Sequence, residues 1–129
     1  MPRQPSTIFT DKELEIMRVV WQLGEATARQ IQSHLGGIRH YNSVMTIIRV
    51  LEKKNHLTHR EEGRTYIYRP TETQEKSRRK VLRHLIGEVF GGSATSLVLN
   101  LVETGDLTAD DLDSIRRKMK SKREGDKPR

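Results

Sequence analysis

The chain has 129 residues, with apolar residues at 33% and charged residues at 32%. That suits one domain, or a small domain with an appended element, whose thin core favours sharing apolar surface with a second copy. A formal charge of +7 favours a polyanionic partner, nucleic acid or an anionic membrane surface. The lack of cysteine excludes a disulfide framework, a thiolate metal site and a cysteine nucleophile, and with no signal-peptide core and no apolar run near the ~20 residues of a membrane span, a soluble cytoplasmic protein without membrane insertion is expected.

Thr10 followed by Glu13 matches a capping box and starts a first helix that runs to about Leu23 and stops at Gly24. Leu14, Ile16, Met17, Val20, Trp21 and Leu23 cover about half its circumference and leave Glu15, Arg18 and Gln22 wet. Thr27 with Gln30 repeats the capping signature. Ala28, Ile31 and Leu35 then follow at helical spacing, for a second short helix ending at Gly36-Gly37. A third helix covers residues 41–54, "YNSVMTIIRVLEKK", and completes a tri-helical unit.

After Asn55 the period changes. Residues 57–70, "LTHREEGRTYIYRP", hold two short β-favouring runs around Glu62-Gly63, a hairpin that Pro70 closes because it has no N–H to offer a ladder. From Glu72 the pattern is helical again, with Val81, Leu82, Leu85, Ile86, Val89 and Phe90 on one broad face, until Gly91-Gly92-Ser93 breaks it. Leu97, Val98, Leu99, Leu101 and Val102 then point in nearly every helical direction and need cover on all sides. A last helix over residues 108–120 has Thr108 as its cap, Asp110, Asp111 and Asp113 near its positive end and a basic run near its negative end. The basic tail 121–129 reads as disordered.

With Val44 at 0° on a helical wheel, Ile47, Ile48 and Leu51 lie within roughly 60°, whereas Asn42, Thr46, Arg49 and Lys53 gather at roughly 140 to 200°. Arg pairs with guanine, Asn with adenine and the Thr methyl with the thymine methyl, so the wet face carries side chains suited to base edges in a major groove. Three helices followed by a basic hairpin is the layout of a winged helix-turn-helix. The base-contact set is therefore Asn42, Ser43, Met45, Thr46 and Arg49, with Met45 and Val50 as exposed apolar flanks. Phosphate contacts fall to Arg39, His40, Lys53, His59, Arg60 and Arg64. Asn42 or Ser43 serves equally well as the helix cap, and Arg39 and His40 either meet phosphate or sit in a loop.

His56 and His59 lack a carboxylate or cysteine at ligand spacing, so no metal site and no cofactor are expected. The aspartates after Thr108 are explained by the helix start, and Gly91-Gly92 lacks the strand and lysine of a phosphate-cradling loop. Trp21 reads as a core anchor. No nucleophile and base stand at a recognisable spacing, so no catalytic residue is assigned and the protein is not expected to be an enzyme.

"LEIMRVVWQLGEATARQIQ", "YNSVMTIIRVLEKKNHLTHREEGRTYIYRP" and "FGGSATSLVLNLVE" together resemble the penicillinase-repressor (BlaI/MecI/CopY) family of bacterial transcriptional regulators, over residues 9–119. The resemblance implies a homodimeric winged-helix repressor on dyad-symmetric, double-stranded operator DNA. The expected fold class is mainly α with a small β-hairpin. A winged helix-turn-helix domain would span residues 1–72 and a helical dimerisation domain residues 73–120. The dimer surface would comprise Val81, Leu82, Leu85, Ile86, Val89, Phe90, Leu97, Val98, Leu99, Leu101, Val102, Leu112, Ile115 and Met119.

In antibiotic-responsive members a membrane sensor system triggers proteolysis in the matching segment, where Asn100-Leu101 is the corresponding bond. This chain carries Leu101 where the best-known members have Phe. The cysteine motif of the copper-responsive members is absent. A competing reading is a protein-interaction adaptor that does not read DNA, since residues 1–70 hold 11 Lys and Arg against 7 Asp and Glu, a net of only +4.

Overall fold

The computed structural model describes residues 9–36 and 39–125. Its elements are α1 (Asp11–Leu23), α2 (Ala28–His34), α3 (Tyr41–Lys53), β1 (Leu57–Glu62), β2 (Thr65–Pro70), α4 (Gln74–Glu88), α5 (Ala94–Glu103) and α6 (Ala109–Gly125). The class is mainly α with one antiparallel hairpin, as expected from the sequence. Compactness divides the chain within α4, between His84 and Leu85.

In the first unit the predicted caps form. Thr10 Oγ1 accepts from Glu13 N at 3.1 Å while Glu13 Oε1 accepts from Thr10 N at 3.2 Å. Gly24 ends α1 at φ 82°, its N–H donating to Val20 O at 2.8 Å. Thr27 and Gln30 repeat the reciprocal pair at 3.2 and 2.8 Å, and α2 closes at Leu35. Gly37, half of the predicted stop, lies outside the described residues. Neither Asn42 nor Ser43 caps α3: the cap position is His40, which makes no side-chain capping bond, and both residues lie in the first turn. At the other end Asn55 takes the left-handed conformation, φ 68°, and His56 N donates back to Leu51 O at 2.8 Å. A short amide side chain tolerates that conformation, and the chain leaves the helix there for β1.

The core joins Ile16, Met17 and Val20 of α1, Ile31 of α2, Val44, Ile48 and Leu51 of α3, and Leu57 and Tyr68 of the hairpin. Two positions on α1 depart from the wheel: Val19 is buried and Leu23 is exposed. Trp21 is half-buried, and its indole N–H donates to Glu72 O at 3.1 Å, anchoring the segment that leads into α4.

Glu62 pairs with Thr65, leaving Gly63-Arg64 as the two-residue loop, one position later than the sequence suggested. Gly63 has φ 65° at the first loop position, the sense that matches the twist of a hairpin and that a side chain would resist. The outer edge of β2 is also occupied. Ala26 N donates to Tyr68 O at 2.9 Å and Tyr68 N to Ala26 O at 2.8 Å, which stitches the α1–α2 connection to the hairpin.

Gly91 and Gly92 break α4 at φ 58° and 85°, with Gly92 N donating to Ile86 O at 2.8 Å. Ser93 caps α5 through Ser96 N at 3.0 Å. Thr108 and Asp111 form a reciprocal cap on α6, at 3.2 and 2.9 Å. That helix continues to Gly125, so residues 121–125, expected to be disordered, extend it by another turn, and residues 126–129 lie outside the description. Among the described residues beyond Ser77, none is buried.

Candidate nucleic-acid interface

The solvent face of α3 carries Asn42, Ser43, Thr46, Arg49 and Lys53, all exposed. Arg49 and Lys53 have no carboxylate partner among the described residues. Thr46 Oγ1 donates to Asn42 O at 2.9 Å, so its hydroxyl proton is committed to its own helix and its methyl is the group left to offer. Met45 is not the exposed flank expected of it. It is half-buried against the core, while Val50 is exposed. This face is held in place from behind, because Val44, Ile48 and Leu51 on the opposite side have no exposure at all.

The cations proposed for phosphate divide into two groups. Arg39 grips Glu15 at 2.7 and 3.0 Å. Arg60 grips Glu25 at 2.6 and 3.0 Å and reaches Glu62 at 3.4 Å. This contact pushes the Arg60 guanidinium pKa up and holds the Glu25 carboxyl below its usual range. His59 Nδ1 lies 2.6 Å from Glu52, and its ring stacks on Tyr66 with centroids 4.4 Å apart. Among the described residues His40, Lys53 and Arg64 carry no such carboxylate contact. Exposed ion pairs are screened and exchange readily, so Arg39 and Arg60 start from an occupied state rather than an empty one.

A groove of about 500 Å³ opens between the start of α2, the start of α3 and the hairpin tip, lined by Thr27, Arg29, Tyr41, Arg64, Thr65 and Tyr66, with Met45 and Tyr68 also on its wall. The Arg29 guanidinium sits 4.4 Å above the centre of the Tyr41 ring. Sequence reasoning missed Arg29, and no local pattern links it to Tyr41 or Arg64.

Behind the reading face, Lys54 Nζ contacts both oxygens of the buried Glu13 at 2.8 and 2.9 Å, tying the start of α1 to the end of α3. Burial pushes Glu13 up, but Lys54 and the Thr10 hydrogen bonds more than offset it and hold the carboxyl below its usual range. His56 is buried next to this pair, under Phe9, with Nε2 unpartnered among the described residues. Burial pushes its pKa down, against the pull of Glu13 and Glu72. Among the described residues no three His, Asp or Glu side chains converge as a metal site requires.

Of the side chains assigned to a dimer surface, Val81, Leu82, Leu85, Val89, Val98, Leu99, Val102, Leu112, Ile115 and Met119 are exposed, and Ile86, Phe90, Leu97 and Leu101 are half-buried. Asn100-Leu101 lies within α5, where Asn100 O accepts from Thr104 N at 3.0 Å.

The chain matches the family model described as penicillinase repressor over residues 9–121. It is 26% identical to the penicillinase repressor of Bacillus licheniformis over 110 residues, covering 83% of this chain and 85% of that one. It is also 26% identical to the methicillin resistance regulatory protein MecI of Staphylococcus aureus strain N315, over 84% of this chain and 89% of that one. In fold it is similar to the transcriptional regulator Tm0710 from Thermotoga maritima, at TM-score 0.53 and 18% identity over 92% of this chain and 80% of that one. A mutant MarR from E. coli superposes with TM-score 0.53 at 14% identity, over 88% and 76%. The chain thus belongs to the penicillinase-repressor family and is a DNA-binding transcriptional repressor of the winged-helix type, not an enzyme.

Proposed function

We propose that the protein represses transcription in the cytoplasm as a homodimer on a dyad-symmetric operator, with α3 in the major groove and the hairpin along the backbone. The observation that carries this reading is the exposed face of α3, where Asn42, Ser43, Thr46 and Arg49 stand together and neither Arg49 nor Lys53 is neutralised by a carboxylate among the described residues. Arg49 is the bidentate reader of guanine, Asn42 suits adenine, and Thr46 offers its methyl to thymine. Lys53, His40 and Arg64 supply sequence-independent affinity, joined by Arg39, His59 and Arg60 when their carboxylates are exchanged for phosphate.

Dimerisation through α4, α5 and α6 is supported by the exposed apolar side chains from Val81 to Met119, a run that water alone does not favour leaving uncovered. A two-fold dimer presents its two α3 helices on one side of the duplex, with half-sites ~10 bp apart or a multiple of that. Relief of repression is assigned to a protease or sensor system that cleaves Asn100-Leu101. Because that bond is helical, cleavage requires α5 to open first, and α5 has no buried residue in a single chain to oppose this.

The test is selection of duplexes from a random pool by the purified full chain, followed by comparison with Arg49→Ala. That variant is expected to lose about 1 to 3 kcal/mol on the selected site and to relax the preference at one base. An Arg49→Ala protein that separates selected from scrambled DNA as sharply as the parent would remove α3 from the reading role. A parent that selects nothing, with no salt slope beyond general attraction, would favour the adaptor reading instead.

A further inference from the structure

The groove between α2, α3 and the hairpin tip is lined by two guanidinium groups, Arg29 and Arg64, neither of which touches a carboxylate among the described residues. This sets them apart from Arg39 and Arg60, which are held by Glu15 and Glu25. Arg29 is also restrained, its guanidinium resting 4.4 Å over the Tyr41 ring, so less side-chain freedom is lost when it engages an anion. The hydroxyls of Tyr41 and Thr65 have no hydrogen-bond partner among the described residues, while the Glu61 carboxylate pushes the pKa of the Tyr66 hydroxyl up. Half-buried Met45 and buried Tyr68 wall the groove, lowering the local dielectric and strengthening whatever ion contact forms there.

We infer that this groove is a phosphate site that seats one backbone phosphodiester of each operator half-site, gripped by Arg29 and Arg64 and by the Tyr41 and Thr65 hydroxyls. Two guanidiniums and two hydroxyl donors facing one opening suit a tetrahedral oxyanion, whose several oxygens can accept from all of them. At about 500 Å³ the groove also has room for the flanking sugar. Its place fits a duplex: Tyr41 on its wall directly precedes Asn42 on the reading face, so a phosphate seated here would fix the depth of the first turn of α3 in the major groove. The assignment rests on the operator reading above, and free phosphate is the other source of the same chemistry.

The experiment titrates operator affinity of the full chain against salt for the parent, Arg29→Ala and Arg64→Ala, with Arg79→Ala, an exposed α4 arginine paired to Glu75, as the comparison. Each groove variant removes one phosphate contact per half-site, so the slope of log affinity against log salt should fall by about two per dimer, with cognate and scrambled DNA weakened alike. Arg79→Ala should keep the parental slope.

Parental slopes in both groove variants would overturn the site, and a relaxed preference in Arg49→Ala measured alongside would show the operator reading still standing. If the parent selects no DNA, inorganic phosphate is titrated while the Tyr41 and Tyr66 ring resonances are followed. Saturable shifts that vanish in the Arg29→Ala, Arg64→Ala double variant would keep the groove as a free-phosphate site. No saturable shift would overturn it.

Discussion

Replacing Leu99 by Asp tests whether α5 is the middle of a subunit interface. Leu99 is 57% exposed in a single chain. Full burial of a leucine side chain is worth roughly 1.5 to 3 kcal/mol, so covering the exposed half contributes about 1 kcal/mol per copy. A carboxylate at the same place forfeits that gain and adds an unpaired charge costing about 2 to 3 kcal/mol more per copy, at the low end for a charge that part of the interface can still hydrate. Two-fold symmetry places the change in both subunits, for a total of about 6 to 8 kcal/mol, or a dimer weakened by roughly 10⁴- to 10⁶-fold. Sedimentation equilibrium over a wide concentration range would read this directly, with Val98→Asp as a second probe on the same helix. The cooperative unfolding of the first unit should be unchanged, since its core is built from α1, α2, α3 and the hairpin. A Leu99→Asp protein that dissociates at the parental concentration would refute the reasoning and move the interface off α5.

Stability should also depend on pH through His56. Burial holds its folded pKa below the ordinary 6.5, so the unfolded chain takes up the proton first; stability is full above pH 6.5 and declines as the pH falls below it. Urea denaturation between pH 7.5 and 5 should show this, and His56→Phe should flatten the profile; a profile unchanged in the variant would exclude His56 as its source. Glu13, held below its usual range, adds stability that is complete above pH 4.5 and lost as the pH drops through its depressed value. At the hairpin tip, Gly63→Val places a β-branched side chain at φ 65° and should cost about 1 to 2 kcal/mol in thermal or urea unfolding; a neutral substitution would argue against a positive φ at that position.

Capping and amphipathic order were legible in the sequence because they are settled within a turn or two of chain. Thr10 with Glu13, Thr27 with Gln30, the Val44, Ile48, Leu51 stripe and the Gly91-Gly92 break each depend on neighbours no more than a few residues away, and each is found where the pattern places it. Hairpin register slipped by one residue because two loop placements are equally polar and only the positive φ demanded at Gly63 distinguishes them. What tertiary structure decided was the company each side chain keeps. Arg39 meets Glu15 across 24 residues of chain and Arg60 meets Glu25 across 35, Ala26 pairs with the edge of β2, Met45 turns inward, and Arg29 reaches Tyr41 and a shared groove with Arg64. A formal charge can be counted from composition, but whether that charge is spent on a carboxylate or left for a phosphate depends on which distant segments the core brings within 3 Å.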